Sequence, residues 1–205
     1  MSMCMIHANP PRSNHPATVL VVMGSTRAGR LCQKITSWVI EIARNCSNLN
    51  YERIDLADWP LPMHDEPGIP ALGRYVQPHT SAWSEKVAAA DAIIFVTPQY
   101  NWGYPAPLKN AIDHLYKEWI GKLVVIVTYG GHGGGKCAAQ LRQVTYGLKM
   151  RAVPTMPAIT LTDEMMLGGP FDPETDLQAH ADSVRQAVAE LLDQLAPGVN
   201  PPPPA

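Results

Sequence analysis

The chain has no block of like charge. Its 16 Lys and Arg residues and 18 Asp and Glu residues give a formal net charge of −2, with the two signs mixed along the sequence. There is no basic stripe for a nucleic-acid backbone or an anionic membrane, so neither partner is expected and any anion site has to be local. The four cysteines, Cys4, Cys32, Cys46 and Cys137, lie far apart, with no Cys-x-x-C pair and no Cys/His spacing suited to a metal. No metal is expected, and the plain reading is a cytoplasmic protein with free thiols. No apolar run approaches the roughly 18 residues of a membrane helix. Met1 to Pro16 lack the apolar stretch of a secretion signal.

What is present suffices for one sizeable core, since 46% of the 205 residues are apolar. Three segments separate by composition. Residues 1–16 mix Pro, Asn and Ser, and residues 196–205 hold four consecutive prolines, Pro201 to Pro204. Both read as flexible ends, because a proline run favours an extended, solvated chain. Residues 17–195 read as a single domain in which apolar runs alternate with helical patterns. Thr18 to Met23, Tyr51 to Leu56, Ala92 to Thr97, Lys122 to Thr128 and Ala158 to Leu161 have the character of strands, several of them β-branched runs buried on both faces. Leu31, Ile35, Trp38 and Ile42 recur at helical spacing, as do Leu108, Ala111, Ile112 and Leu115. Lys136 to Met150 fits another helix. Leu177, Ala181, Val184, Val188, Leu191 and Leu195 mark a last one. Such alternation predicts an α/β fold with a parallel sheet covered on both faces. Trp59 to Thr80 contains prolines at 60, 62, 67, 70 and 78, and reads as a long ordered loop of the kind that borders a site.

Ligands of open α/β sheets sit at the carboxyl ends of the strands. The first such end is Gly24-Ser25-Thr26-Arg27-Ala28-Gly29-Arg30. Its glycines permit a tight curl, Ser25 and Thr26 offer hydroxyls, Arg27 and Arg30 offer charge, and the next helix offers free N–H groups. This set suits a phosphate; the alternative is a polar turn with solvated arginines. It is neither a G-x-G-x-x-G dinucleotide fingerprint nor a P-loop. The second end, Pro98-Gln99-Tyr100-Asn101-Trp102-Gly103-Tyr104-Pro105, clusters three aromatics and an asparagine. These can stack on a flat ring and read its polar edge, or pack against a partner subunit. The third, Tyr129-Gly130-Gly131-His132-Gly133-Gly134-Gly135-Lys136, is glycine-rich enough to wrap closely around something. Gly130 to Lys136 mimics the start of a P-loop. However, Cys137 stands where a hydroxyl would bind Mg²⁺, and thiols are poor ligands for that hard ion.

A phosphate cradle after one strand and an aromatic loop after its neighbour describe a mononucleotide with a flat ring, and FMN fits. On Pro98-Gln99-Tyr100-Asn101, Pro105, Leu108-Lys109-Asn110-Ala111-Ile112-Asp113, Gly24-Ser25-Thr26-Arg27 and Gly130-Gly131, the chain resembles the NADPH-dependent FMN reductase family of flavodoxin-like quinone and azo-dye reductases. The resemblance runs from about Val19 to Thr160. It implies a flavodoxin-like, doubly wound sandwich with a five-stranded parallel sheet in the order 2-1-3-4-5. It further implies that Ser25, Thr26, Arg27 and Arg30 hold the FMN phosphate. Pro98, Gln99, Tyr100 and Asn101 would line the ring, with Gly130, Gly131, His132 and Gly133 on its other side; Trp102 is a further cofactor-site residue, shaping either the acceptor pocket or the subunit contact. A homodimer or homotetramer is implied as well. The chain departs from the family at Arg30, where many relatives have Ser, at Gln99 for a frequent Glu, and at Ala106 for a frequent Gly.

The expected activity is ping-pong transfer of hydride from NADPH or NADH through FMN to a small acceptor such as a quinone, a flavin or an azo compound. No side chain need act as acid or base. His132 is the one candidate proton donor, with a solvated or structural histidine as the alternative. The competing expectations are a flavodoxin-like electron carrier, a redox-sensing FMN-binding regulator and a pathway-specific tailoring enzyme. The near-neutral charge favours the reductase over the carrier.

Overall fold

In the computed structural model, which describes residues 16–63 and 65–196, the buried runs of the sequence become the middle of a parallel sheet. Strand β1 is Thr18–Met23, followed by helix α1, Cys32–Cys46, and β2, Asn50–Asp55. Then come α2, Pro78–Ala88, β3, Ala92–Pro98, α3, Ala106–Asp113, β4, Leu123–Gly130, and α4, Gly135–Gly147. Two short strands, β5 at Arg151–Ala152 and β6 at Ala158–Thr160, precede the one-turn helices α5, Asp163–Met166, and α6, Pro173–Asp176. Helix α7, Ala181–Leu195, closes the described chain.

The sheet runs β2-β1-β3-β4-β5, the expected flavodoxin-like order. The expected fifth strand is divided: β5 pairs with the start of β4 and β6 with its end, both parallel. Residues alternate faces along a strand, and both faces are covered. Val19, Val21 and Met23 pack with α1 and α7, through Ile35, Val39, Val184 and Leu191. Leu20 and Val22 face the other way, towards Trp83 of α2, Leu108 and Ile112 of α3, and Leu141 of α4. The indole N–H groups of Trp83 and Trp119, both buried, donate to the carbonyls of Ala111 and Ile112 at 2.8 and 3.0 Å. These bonds fix the C-terminal end of α3 while burying two large side chains.

The predicted loop from Trp59 to Thr80 ends earlier than expected, because Pro78 opens α2 rather than belonging to the loop. Only Thr80, Trp83 and Val87 of this helix are buried, a stripe too thin to register as amphipathic in sequence. Pro78 is well placed at the first helical turn, where its missing N–H costs nothing. The last helix starts at Ala181, although its apolar pattern begins at Leu177. Leu177 is fully buried from the turn before the helix. The expected flexible ends, 1–16 and 196–205, lie outside the described residues except for Pro16 and Ala196. Among the described residues, no helix is long and apolar enough to cross a membrane.

Candidate functional site

β1 lies between β2 and β3, so connections leave its C-terminal end in one direction and those of β3 in the other. This is the switch point at which an open α/β sheet forms a crevice. In-register pairing of Met23 with Val96, and of Thr97 with Thr128, brings the three loops to the same edge.

The loop after β1 is held close to the sheet. Gly24 N–H donates to the Val96 carbonyl at 2.9 Å. A Cβ on Gly24 would lie 2.6 Å from Thr97 Oγ1, so this residue is glycine for lack of space. Ser25 is completely buried, its hydroxyl 3.0 Å from the Tyr100 hydroxyl. Arg27 is exposed, with its guanidinium 5.7 Å from the Tyr100 ring centre. Arg30 behaves differently. It forms an ion pair with Asp55 at the end of β2, both side chains being largely buried. Its Nε–H is buried with no partner, a donor still free for an anion.

The loop after β3 makes a tight hairpin. Tyr100 and Gly103 exchange both backbone hydrogen bonds at 2.9 Å, with Asn101 and Trp102 between them at φ 48° and 69°. Two positive φ values suit a two-residue turn of the primed type. Asn tolerates that region, whereas a bulky Trp is strained there by about 1–2 kcal/mol. The strain presents the Trp102 ring to solvent, 65% exposed, with the Lys136 ammonium 4.9 Å from its centre.

In the loop after β4, Gly133 and Gly134 take φ 72° and 82°, and the Gly133 carbonyl accepts from Thr128 Oγ1 at 3.1 Å. The Gln99 side chain ties this loop to the previous one by accepting from Cys137 N–H at 3.1 Å, in the first turn of α4. Cys137 donates its thiol to the Pro98 carbonyl at 3.6 Å, and burial pushes its pKa up to about 12. Cys32 donates to the Val96 carbonyl at 3.4 Å, and burial raises its pKa too. Neither thiol is a nucleophile at neutral pH.

The first two loops enclose a cavity of about 560 Å³, within the range of small-molecule sites. Ser25, Thr26 and Arg27 line one side, and Gln99, Tyr100 and Asn101 the other. Six of the expected site residues are thus brought together. Arg30, Pro98, Trp102, Gly130, Gly131, His132 and Gly133 do not line this cavity. Pro98 is buried in β3, Gly130 sits beside Gln99, and His132 is exposed without a hydrogen bond to any described residue. Two contributions went unread in the sequence. Pro105, Ala106 and Pro107 complete the wall, a role signalled only by their place directly after the aromatic turn. Asp55 anchors Arg30, signalled only by an acid at the end of a strand. An apolar cleft of about 230 Å³ adjoins the cavity at Ala106 and Pro107, walled by Trp59, Leu61 and Met63 of the β2–α2 loop.

The donor set fits a phosphorylated flat cofactor: hydroxyls, an exposed guanidinium and an aromatic turn meet at one cavity, and the loop that supplies the hydroxyls also holds a buried, unpartnered guanidinium N–H at Arg30. Sheet order and cleft together define a flavodoxin-like α/β protein with its ligand crevice at the switch point. A family model described as NADPH-dependent FMN reductase matches residues 17–162, and the chain belongs to that family. It is 53% identical over 175 residues to the NAD(P)H-dependent FMN reductase of Schizosaccharomyces pombe, covering 84% of this chain and 88% of that one. To the quinone reductase of Escherichia coli it is 30% identical over 185 residues, covering 86% and 85%. In structure it is similar to a flavoenzyme NAD(P)H:(acceptor) oxidoreductase of Paracoccus denitrificans. That match has a TM-score of 0.62 and 23% identity, and covers 85% of this chain and 98% of that one.

Proposed function

We propose that this chain is an FMN-dependent NAD(P)H oxidoreductase that passes reducing equivalents to a small acceptor such as a quinone, a flavin or an azo compound. The observation that carries this is the cavity between the β1–α1 and β3–α3 loops, in a chain of this family. When bound, FMN supplies hydride uptake from the nicotinamide nucleotide and delivery of two electrons to the acceptor.

The residues of the chain bind and orient. Ser25, Thr26 and Arg27 would hold the phosphate, and Arg30, kept in place by Asp55, would offer its free Nε–H. Tyr100 and Asn101 would face the ring, on a turn that Pro98 and Gln99 tie to the first turn of α4 through Cys137. Trp102 would reach the cofactor only from the exposed rim of the turn, and Gly130, Gly131 and Gly133 would let the β4–α4 loop approach the ring closely. His132 has no required proton-transfer role in this scheme. The apolar cleft at Trp59, Leu61 and Met63 receives the apolar part of the acceptor. Residues 17–195 form the one FMN-binding domain. The protein works in the cytoplasm as a homodimer or homotetramer, without nucleic-acid or membrane partners. Support for self-association comes from exposed apolar side chains at Trp102, Tyr146, Met166 and Leu167.

The test is anaerobic stopped-flow of the flavin-loaded protein. Mixing with NADPH or NADH should bleach the flavin without a second protein, and a quinone should restore it. A flavin that stays oxidised would make the chain a carrier instead.

A further inference from the structure

Away from the cofactor cavity, three side chains from three different elements meet. Asp65 comes from the β2–α2 loop, His79 from the first turn of α2, and His114 from just past α3. One ligand atom from each lies within 4.8 Å of the other two. We infer that Asp65, His79 and His114 form a binding site for a zinc-class divalent cation, which fastens the proline-rich β2–α2 loop to α2 and α3.

Two imidazole nitrogens and one carboxylate form the donor set of borderline cations. Calcium and magnesium prefer oxygen alone. The carboxylate and one ring are already in contact, with His79 Nε2 2.9 Å from one Asp65 oxygen and 3.1 Å from the other. The His114 ring stands edge-on to the His79 ring, with centres 6.0 Å apart at 85°. Ligands around zinc, with bonds of about 2.0–2.1 Å, sit roughly 3.3 Å from one another. Asp65 and His79 are partly exposed and can close the remaining gap.

His114 has the outer support that ligating histidines use. Thr80 Oγ1 lies 3.1 Å from Nδ1, and the Pro62 carbonyl 3.0 Å from Nε2. Binding through Nε2 exchanges the hydrogen bond to the Pro62 carbonyl for a metal bond, while the one between Nδ1 and Thr80 persists and fixes the ring. A cavity of about 190 Å³ opens at Asp65 and His114, large enough for water to complete the coordination. Glu66 and Asp113 also line it and add negative potential, Glu66 while accepting from the Val76 and Gln77 N–H groups and Asp113 while paired with Lys109. The loop so fastened also carries Trp59, Leu61 and Met63, the wall of the apolar cleft. It is otherwise tied to α3 by Asn110 Nδ2 donating to the Leu61 carbonyl at 2.7 Å.

The experiment titrates the flavin-loaded full chain with zinc chloride by calorimetry, and with cobalt by difference absorption outside the flavin bands. One ion per chain is expected, with the visible d–d spectrum of low-symmetry, four-coordinate cobalt. His79→Ala and Asp65→Asn, at partly exposed positions, should each weaken binding at least about tenfold while leaving the flavin-loaded protein folded. Thr80→Val should weaken it by about 10- to 100-fold through the outer contact. Cys46→Ser, His132→Ala and a His7→Ala/His15→Ala variant should bind as the parent does. Zinc should also slow proteolytic cleavage between residues 59 and 77. The inference is overturned by absence of the cobalt spectrum, by binding that survives both His79→Ala and Asp65→Asn, by binding lost in the control variants, or by cleavage unchanged with zinc.

Discussion

The β1–α1 loop and the β4–α4 loop are built to the same plan at the same edge of the sheet. Each leans a glycine on a buried threonine, Gly24 on Thr97 and Gly134 on Thr128, and those threonines are register partners in β3 and β4. Each sets a buried cysteine in the first turn of the next helix, donating to a carbonyl of β3. The difference lies in what makes the glycine necessary. Gly24 is restricted by space alone, whereas Gly134 combines the same crowding with φ 82°. The first loop then spends its remaining positions on polar side chains, and the second on bare backbone. One therefore presents charge, and the other bare backbone.

Substitution at Gly134 should have the largest effect. An added Cβ would lie 2.7 Å from Thr128 Cβ in a left-handed backbone. Gly134→Ala should cost about 2–4 kcal/mol in urea unfolding, combining αL strain with overpacking. Gly135→Ala, with open space around it, should change stability by under about 0.5 kcal/mol. Equal effects at both glycines would remove the geometric distinction.

Next is the charge of the first loop. Arg27→Ala should weaken FMN by about 1.5–3 kcal/mol in fluorescence titration, the range for hydrogen bonds to charged groups. The thermal midpoint of the FMN-free protein should stay unchanged, since the side chain is exposed. Arg30→Ala should lower both, because Asp55 loses its partner in a largely buried position.

Gly24→Ala should cost about 1–3 kcal/mol from overpacking against Thr97, without a strain contribution. A loss equal to that of Gly134→Ala would contradict the comparison.

The two thiols sharpen it further. At pH 8, an alkylating agent should label Cys46, which is exposed, and leave Cys32 and Cys137 untouched until unfolding. The Cys137 pKa rises from 9.0 to about 12, so the unfolded chain loses this proton first. Its contribution to stability is complete below pH 9 and is lost as pH rises towards 12. Cys137→Ala should flatten the alkaline limb of a stability–pH profile. The smallest effect belongs to His132→Ala, which should leave turnover unchanged from pH 5 to 8, the interval over which an ordinary histidine titrates. A lost limb in the rate profile would give His132 a proton-transfer role.

Much of the fold was legible because buried parallel strands write continuous β-branched runs, such as Thr18 to Met23 and Ala92 to Thr97. Helix α2 was not legible. It rests on three buried positions, and its weight falls on one tryptophan whose partners lie in α3 and beside Trp119. The fifth strand was only half legible, because β5 is two residues long and exists through pairing with β4. In the candidate site, Ser25, Thr26, Arg27, Gln99, Tyr100 and Asn101 could be read from residue type and their place after a strand. The pairing of Arg30 with Asp55 could not, because 25 residues separate them and only the neighbouring positions of β1 and β2 bring them together.

By itself, the sequence determined the alternation of strand and helix, the glycine and aromatic content of the three loops, and the absence of any charged or apolar block that would call for a different class of protein. These are local properties, set by side-chain size, polarity and backbone freedom within a few residues. Only the tertiary structure decided which loops share a cavity, which arginine stays free, and that Asp65, His79 and His114 meet. Those outcomes depend on parallel register and on helices packed across the sheet, which bring together residues that no local pattern relates.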